Sequence, residues 1–148
     1  MPKRLALTAT IGAALSLGLV ATGVAPANAA AANCPLGASC IWADTMWKTS
    51  GKDGALISFQ RYIPDYMNVS HKYVGTNISG NDTASSVKNN GTSEAVRFYE
   101  HAMKGGAMIQ LPRGASDGNI HDAIGDVNKV FHDRISSGYF FSFWGIAW

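Results

Sequence analysis

Two short stretches of this chain carry the same set of oxygen-bearing side chains. Asn81-Asp82-Thr83-Ala84-Ser85-Ser86 places an aspartate three residues before a serine pair, and His132-Asp133-Arg134-Ile135-Ser136-Ser137 repeats the arrangement 51 residues later. A carboxylate, hydroxyls and turn carbonyls in one loop are the donors a hard cation takes, and calcium gathers about six to eight such oxygens. The same residues have a purely structural use. Asp82 and Asp133 form Asx turns in that reading, and the serine pairs tie each loop to a neighbouring hairpin. His132 offers nitrogen where the first loop has Asn81, so the second loop is the weaker cation site of the two. A motif repeated at this distance marks two copies of one structural unit.

Other chemistry finds little footing. No nucleophile-elbow motif accompanies the serines. Glu100-His101 lacks the second histidine of a zinc-protease helix, and His71, His101, His121 and His132 lack metal-ligand spacing. The expectation is a protein without catalytic residues. Cys34 and Cys40, the only cysteines, read as a disulfide if the chain is exported. Such a bridge closes a small loop and contributes only about 2 kcal/mol in the chain-entropy model.

Export is what the start of the chain indicates. Lys3 and Arg4 precede an apolar run from Leu5 to Val24, and Ala27-Asn28-Ala29 is a small-x-small cleavage site. Residues 1–29 therefore read as a secretory signal peptide and 30–148 as the mature domain. No later stretch is long and apolar enough to cross a bilayer, so a released, extracellular and monomeric protein is expected. Lys3 and Arg4 account for the whole excess of 12 basic over 10 acidic residues. The mature chain is close to neutral, which gives no electrostatic reason to expect a nucleic-acid partner.

The elements that must position the two loops read as short strands separated by Gly, Asn, Asp and Ser clusters. Cys40–Trp42, Ala55–Phe59, Ser86–Lys88, Ala95–Tyr99 and Ala107–Leu111 are strand candidates, and Gly138–Trp144 reads as a largely buried final strand. Pro64–Gly75 reads as a long loop. Asn119–Val130 has apolar residues at roughly helical spacing, interrupted by Gly125, and allows one helical turn at most. Trp47, in a turn, and Trp148, at the chain end, are the tryptophans expected to be exposed. The first unit is about six residues longer than the second (Trp42 to Asn81 against Tyr99 to His132), with the excess expected in Trp47–Ala55 or Pro64–Gly75. Asn-x-Ser/Thr triplets begin at Asn68, Asn77, Asn81 and Asn90 and read as turn composition.

These residues resemble the βγ-crystallin pattern, in which each Greek-key unit has a Tyr-Glu-type hairpin start and a later Asx-Asx-x-x-Ser/Thr-Ser loop. Tyr99-Glu100 with Gly105-Gly106 matches the hairpin start, with Lys104 at the aromatic position; Trp42–Trp47 keeps the aromatic but has Thr49 at the glycine position. Cys34-Pro35-Leu36-Gly37-Ala38-Ser39-Cys40-Ile41-Trp42 is similar to the start of the streptomycete metalloproteinase inhibitor family. The type inhibitor of that family has a second disulfide beside its reactive bond, and this chain has no second cysteine pair.

The resemblance implies an all-β, βγ-crystallin-type β-sandwich of two Greek-key units, about 34–92 and 93–148, with one N-terminal disulfide. It implies a peptidase inhibitor that acts on an extracellular metallopeptidase through a rigid, extended loop; Trp47–Ala55 and Pro64–Gly75 are candidates because they hold the extra length of the first unit. It also implies a calcium-ligand set of Asn81, Asp82, Ser85, Asp133, Ser136 and Glu100, with Asp44 as a further contributor. A calcium-binding or structural module and a small antifungal toxin are the alternatives that share the fold.

Overall fold

The computed structural model describes residues 33–127 and 129–145. Residues 1–29, read above as a signal peptide, and Trp148 lie outside them. Eight strands follow in chain order: β1 (Ser39–Trp42), β2 (Ile57–Phe59), β3 (Tyr62–Ile63), β4 (Ser86–Asn89), β5 (Val96–His101), β6 (Gly105–Leu111), β7 (Ser116–Asp117) and β8 (Ser137–Phe140). They form two four-stranded antiparallel sheets, ordered β2-β1-β4-β7 and β3-β8-β5-β6. The third strand of each unit leaves its own sheet and completes the other one: β3 pairs with β8, and β7 with β4. Each sheet is thus built from three strands of one unit and one of its sibling.

Alternation along the strands sets the layers. In β2, Ile57 and Phe59 are buried and Ser58 is exposed; in β5, Val96 and Phe98 are buried around a half-buried Arg97. Between the sheets, Ile41, Ile57, Phe59, Val87, Val96, Phe98, Leu111, Ile120, Phe131, Ile135 and Phe140 form one core. Phe59 lies at its centre, edge-on to Phe98 at 6.1 Å and Phe140 at 5.7 Å. Its ring rests on the backbone of Gly138, where an added Cβ would come within 2.7 Å of Cζ.

The terminal segments cover the outer faces. Cys34 and Cys40 form a disulfide, and with Ala38, Trp42, Trp47 and Leu56 they make a second small apolar cluster. On the other sheet, Tyr139 stacks on Tyr62 and meets Tyr99 edge-on. The chain then turns back as a short 3-10 segment, Phe141–Phe143. Trp144 follows, under the Arg97 guanidinium at 3.5 Å, with its indole N–H donating to Tyr139 O.

Several expectations need correction. Trp47 is buried, 6 % exposed, because its turn folds back onto the sheet and brings the indole against Gly118. The final strand ends at Phe140. Phe141 and Ser142 are exposed, and Glu94 draws the chain aside by accepting from both Ser142 N and Ser142 Oγ. Asn119–Val127, read as one helical turn at most, forms turns and bends in keeping with that reading; Asp117, Asn119 and Asp122 accept backbone N–H groups there and favour Asx turns over a helix. The two-residue strands β3 and β7 were not foreseen.

A substitution at the Phe59 contact tests the core. Gly138→Ala should cost about 1–3 kcal/mol by overpacking, read as a lower urea midpoint at unchanged slope. Gly54→Ala, where a Cβ meets nothing within 4 Å, should stay within about 0.5 kcal/mol.

Candidate functional site

The two Asp-x-x-Ser-Ser loops meet where the units join. Asp82 and Asp133 have φ of 50° and 51°, the left-handed region that aspartate tolerates better than most residues. This bend points each amide at the opposite loop: Asp82 N donates to Ile135 O (3.0 Å) and Asp133 N to Ala84 O (2.9 Å). The first serine of each pair then joins its own hairpin strand through the backbone, Ser85 N to Trp42 O and Ser136 N to Tyr99 O, both 2.9 Å. Their carbonyls accept from the sibling unit, from Ile120 N and Tyr66 N.

The second serines do a different task. Each hairpin contains two consecutive non-glycine residues at positive φ, Met46-Trp47 and Met103-Lys104, a conformation that costs roughly 1–2 kcal/mol per residue. Ser86 Oγ donates to Asp44 O (2.8 Å) and accepts from Trp47 N (3.1 Å). Ser137 Oγ donates to His101 O (2.8 Å) and accepts from Lys104 N (3.3 Å). The hairpin tips in turn reach the sibling unit: Met46 N donates to Gly118 O (2.6 Å) and Met103 N to Pro64 O (2.8 Å). Every one of these bonds has its counterpart in the other unit.

The side chains break that symmetry. Asp82 Oδ1 accepts from Ser136 Oγ of the other unit (2.8 Å), and its Oδ2 accepts from Asn81 Nδ2 (2.8 Å). The second loop has no such pair. Ser85 Oγ lies 3.0 Å from His121 Nε2, whose ring stacks on His132 at 3.9 Å, and His132 Nδ1 is 3.4 Å from Asp133 Oδ2. Glu100 accepts from Arg134 Nη2 (2.6 Å) and Nε (3.1 Å), and from Ala107 N (3.1 Å). The Arg134 bond holds its carboxyl below the usual range. Asp44 Oδ2 accepts from Gly51 N inside its own hairpin.

The structure therefore joins Asn81, Asp82 and Ser136, commits Glu100 and Ser85 to Arg134 and His121, and leaves Asp133 beside His132 without a hydrogen bond between them. Among the described residues no group of three or more His, Cys, Asp or Glu is placed to hold a metal ion. Asp82 and Ser136 bring together a carboxylate and a hydroxyl, oxygen types that a calcium ion takes. Glu100, already neutralised by a guanidinium, and Ser85, engaged by an imidazole, do not complete its oxygen shell. The roles of Arg134 and His121 were not read from the sequence, where His121 counted only as a histidine without metal-ligand spacing. Arg134 stood inside the motif itself, but its partner is 34 residues away.

Neither candidate contact loop is extended. Trp47–Ala55 is folded by the Asp44–Lys48 and Thr49–Lys52 bridges and shows solvent mainly polar groups, Lys48, Ser50, Lys52 and Asp53. Pro64–Gly75 curls because Asp65 accepts from Met67 N and Asn68 from Ser70 N. His71 Nδ1 is 3.0 Å from Asp65 O, and Val74 N donates to Leu56 O. Tyr66 and Tyr73 anchor it in the core, and burial pushes both phenols up. At the tip, Met67 and Val69 are 68 % and 85 % exposed. Both loops carry extra length: the Ile41/Ile57 pair encloses five more residues than Phe98/Ile109, and from the equivalent donors Tyr66 and Ile120 the chain takes 15 residues to Asn81 but 12 to His132.

Comparison with known proteins bears on both fold and role. Residues 27–111 match the model of peptidase inhibitor family I36. No curated protein matches significantly. A βγ-crystallin domain solved in work on the evolution of the eye-lens fold superposes with a TM-score of 0.54 at 18 % identity, over 72 % of this chain and 88 % of that one. A βγ-crystallin from Ciona intestinalis gives 0.49 at 15 % identity, over 70 % and 99 %. One from an archaeon gives 0.46 at 22 %, over 72 % and 100 %. The first of these shows the crystallin-type fold.

Ser86→Ala and Ser137→Ala should each destabilise by about 1–3 kcal/mol, since each leaves a hairpin N–H without its acceptor; chemical denaturation measures this. Glu100 has a lowered carboxyl pKa when folded, so its contribution is present above the unfolded carboxylate range and is lost as pH falls through the lowered value. Glu100→Gln should flatten the acid limb of a plot of melting temperature against pH.

Proposed function

This chain belongs to peptidase inhibitor family I36, and we propose that it is a secreted inhibitor that blocks an extracellular metallopeptidase through the Pro64–Gly75 loop. The family supplies a peptidase as partner and an inhibitory, non-enzymatic role. The observation that supports this loop is its combination of rigidity and display. Tyr66 and Tyr73 are buried at its two ends, Asx turns and the Lys72–Ser79 bridge fix its backbone, and Met67 and Val69 project from the tip.

A loop already held in one conformation loses little ordering entropy on binding. Exposed apolar side chains on a fixed backbone suit a hydrophobic specificity pocket. The Trp47–Ala55 hairpin offers no comparable apolar tip. Binding in this reading uses a turn-shaped loop in place of the extended one first expected.

A second reading, calcium binding at the first loop, is favoured by the meeting of Asp82 and Ser136 from opposite units. Arg134 competes with the ion for Glu100. Affinity is then weak, on the order of the 10⁻⁴–10⁻³ M of extracellular modules.

Each reading has its own test. The mature protein should inhibit at least one enzyme in a panel of secreted metallopeptidases that includes thermolysin-type members. Met67→Asp/Val69→Asp should weaken that inhibition by about tenfold or more, since an apolar anchor in a pocket is worth 2 kcal/mol or so, with the melting temperature unchanged. Inhibition that survives the double substitution places the contact elsewhere. For calcium, ten times Kd should raise stability by about 1.4 kcal/mol. The rise should be lost in Asp82→Ala and larger in Arg134→Ala, where Glu100 is freed; an equal rise in Asp82→Ala counts against the site.

A further inference from the structure

The chain contains one Asn-Gly step, Asn90-Gly91, in the connection between the two units. Asn-Gly is the sequence most prone to deamidation, because glycine has no side chain to shield its nitrogen from the neighbouring carboxamide. The structure opposes that reaction at every participating atom. Asn90 Nδ2 donates to Cys34 O at 2.8 Å, which fixes the carboxamide on the N-terminal loop. The backbone of Asn90 is held by the same loop: Asn90 N donates to Ala38 O and Gly37 N to Asn90 O, both 2.9 Å. Gly91 N, the attacking atom, donates to Asn89 Oδ1 at 2.9 Å. Gly91 also packs against the Phe140 ring so closely that a Cβ would lie 2.6 Å from Cε1.

Three of these bonds come from residues 34–38, and that segment is closed into a loop by the Cys34–Cys40 disulfide. We propose that Asn90-Gly91 is a latent modification site guarded by this disulfide. A thiol reductant opens the bridge, giving two cysteine thiols and an oxidised reductant. The 34–38 loop then detaches and Asn90 is released. Gly91 N bonds to Asn90 Cγ, the Cγ–Nδ2 bond breaks, and ammonia leaves with the Gly91 amide proton. Water opens the resulting succinimide to aspartate or isoaspartate.

The product cannot return to the docked state. A carboxylate has no N–H to give Cys34 O, and isoaspartate lengthens the backbone by one methylene across the Gly37 and Ala38 bonds. The guarded site thus makes loss of the docked loop irreversible even if the disulfide re-forms, and it marks the junction between the units with a new negative charge. The N-terminal bridge closes only a short loop and contributes little to the fold as a whole, so the remainder is expected to stay folded while the loop is free.

The test follows Asn90 by peptide mapping during incubation in mildly alkaline buffer. Four samples are compared: the oxidised mature protein, the Cys34→Ser/Cys40→Ser protein, and each of the two in denaturant. Near-ultraviolet circular dichroism reports whether each native sample is folded. The oxidised native protein should convert at least about tenfold more slowly than in denaturant, as expected for a site that reacts only from a locally opened state. The cysteine-free protein, still folded, should approach the denatured rate, and the two denatured samples should agree. Rapid conversion of the oxidised native protein overturns the proposal. So does a folded cysteine-free protein that remains protected, and so does a cysteine-free protein that has unfolded throughout, because protection then belongs to the whole fold and not to the bridge.

Discussion

Two backbone hydrogen bonds at the join of the units, Asp82 N to Ile135 O and Asp133 N to Ala84 O, are the constraint on which the rest of the structure depends. They require a left-handed residue in each loop, and they bring the loops together head to head. The serines that follow can then reach the hairpins, and the hairpin tips can reach the sibling unit at Gly118 and Pro64. The exchange of β3 and β7 between sheets has the same effect on the core, since neither sheet is complete without a strand from the other unit. The two repeats are interlocked and do not simply stand side by side.

This arrangement leaves the places where the repeats differ free to specialise. The added length of the first unit sits in the Trp47–Ala55 hairpin and the Pro64–Gly75 loop, beyond the Trp47, Pro64 and Tyr66 backbone groups that take part in the reciprocal bonds. The terminal segments also differ: a disulfide-closed loop covers one sheet, and an aromatic turn with Arg97 over Trp144 covers the other. Side chains at the join have diverged as well, with Asp82 bonded to Ser136 in one loop and a stacked histidine pair beside Asp133 in the other. Inhibition by a rigid loop fits such a frame, because the frame bears the stability and the loop adds display.

Much of the fold was legible because its signals are local. The repeated Asp-x-x-Ser-Ser motif marked the units, and apolar segments bounded by turn residues, Ala95–Tyr99 and Ala107–Leu111, marked β5 and β6. What escaped reading depends on residues far away in the chain. Tyr62-Ile63 and Ser116-Asp117 are strands only because β8 and β4 offer them an edge. Trp47 sits in a turn, which suggests exposure, and is buried because Ser86, 39 residues on, binds its amide. The apolar run Gly138–Trp144 reads as one strand until Glu94 draws Ser142 aside. At the candidate site, the oxygen-rich loops were visible, but the partners that occupy them were not. Nothing near Glu100 in sequence announces Arg134, and nothing near Ser85 announces His121.

The central claim, that the reciprocal loop bonds make the two units one cooperative structure, is tested most directly by native-state hydrogen exchange at the Asp82 and Asp133 amides. If the claim holds, both amides exchange only through global unfolding, with the same free energy and the same dependence on denaturant as the core strands. Exchange of either amide through a local opening, or two different unfolding free energies for the two halves, would contradict it.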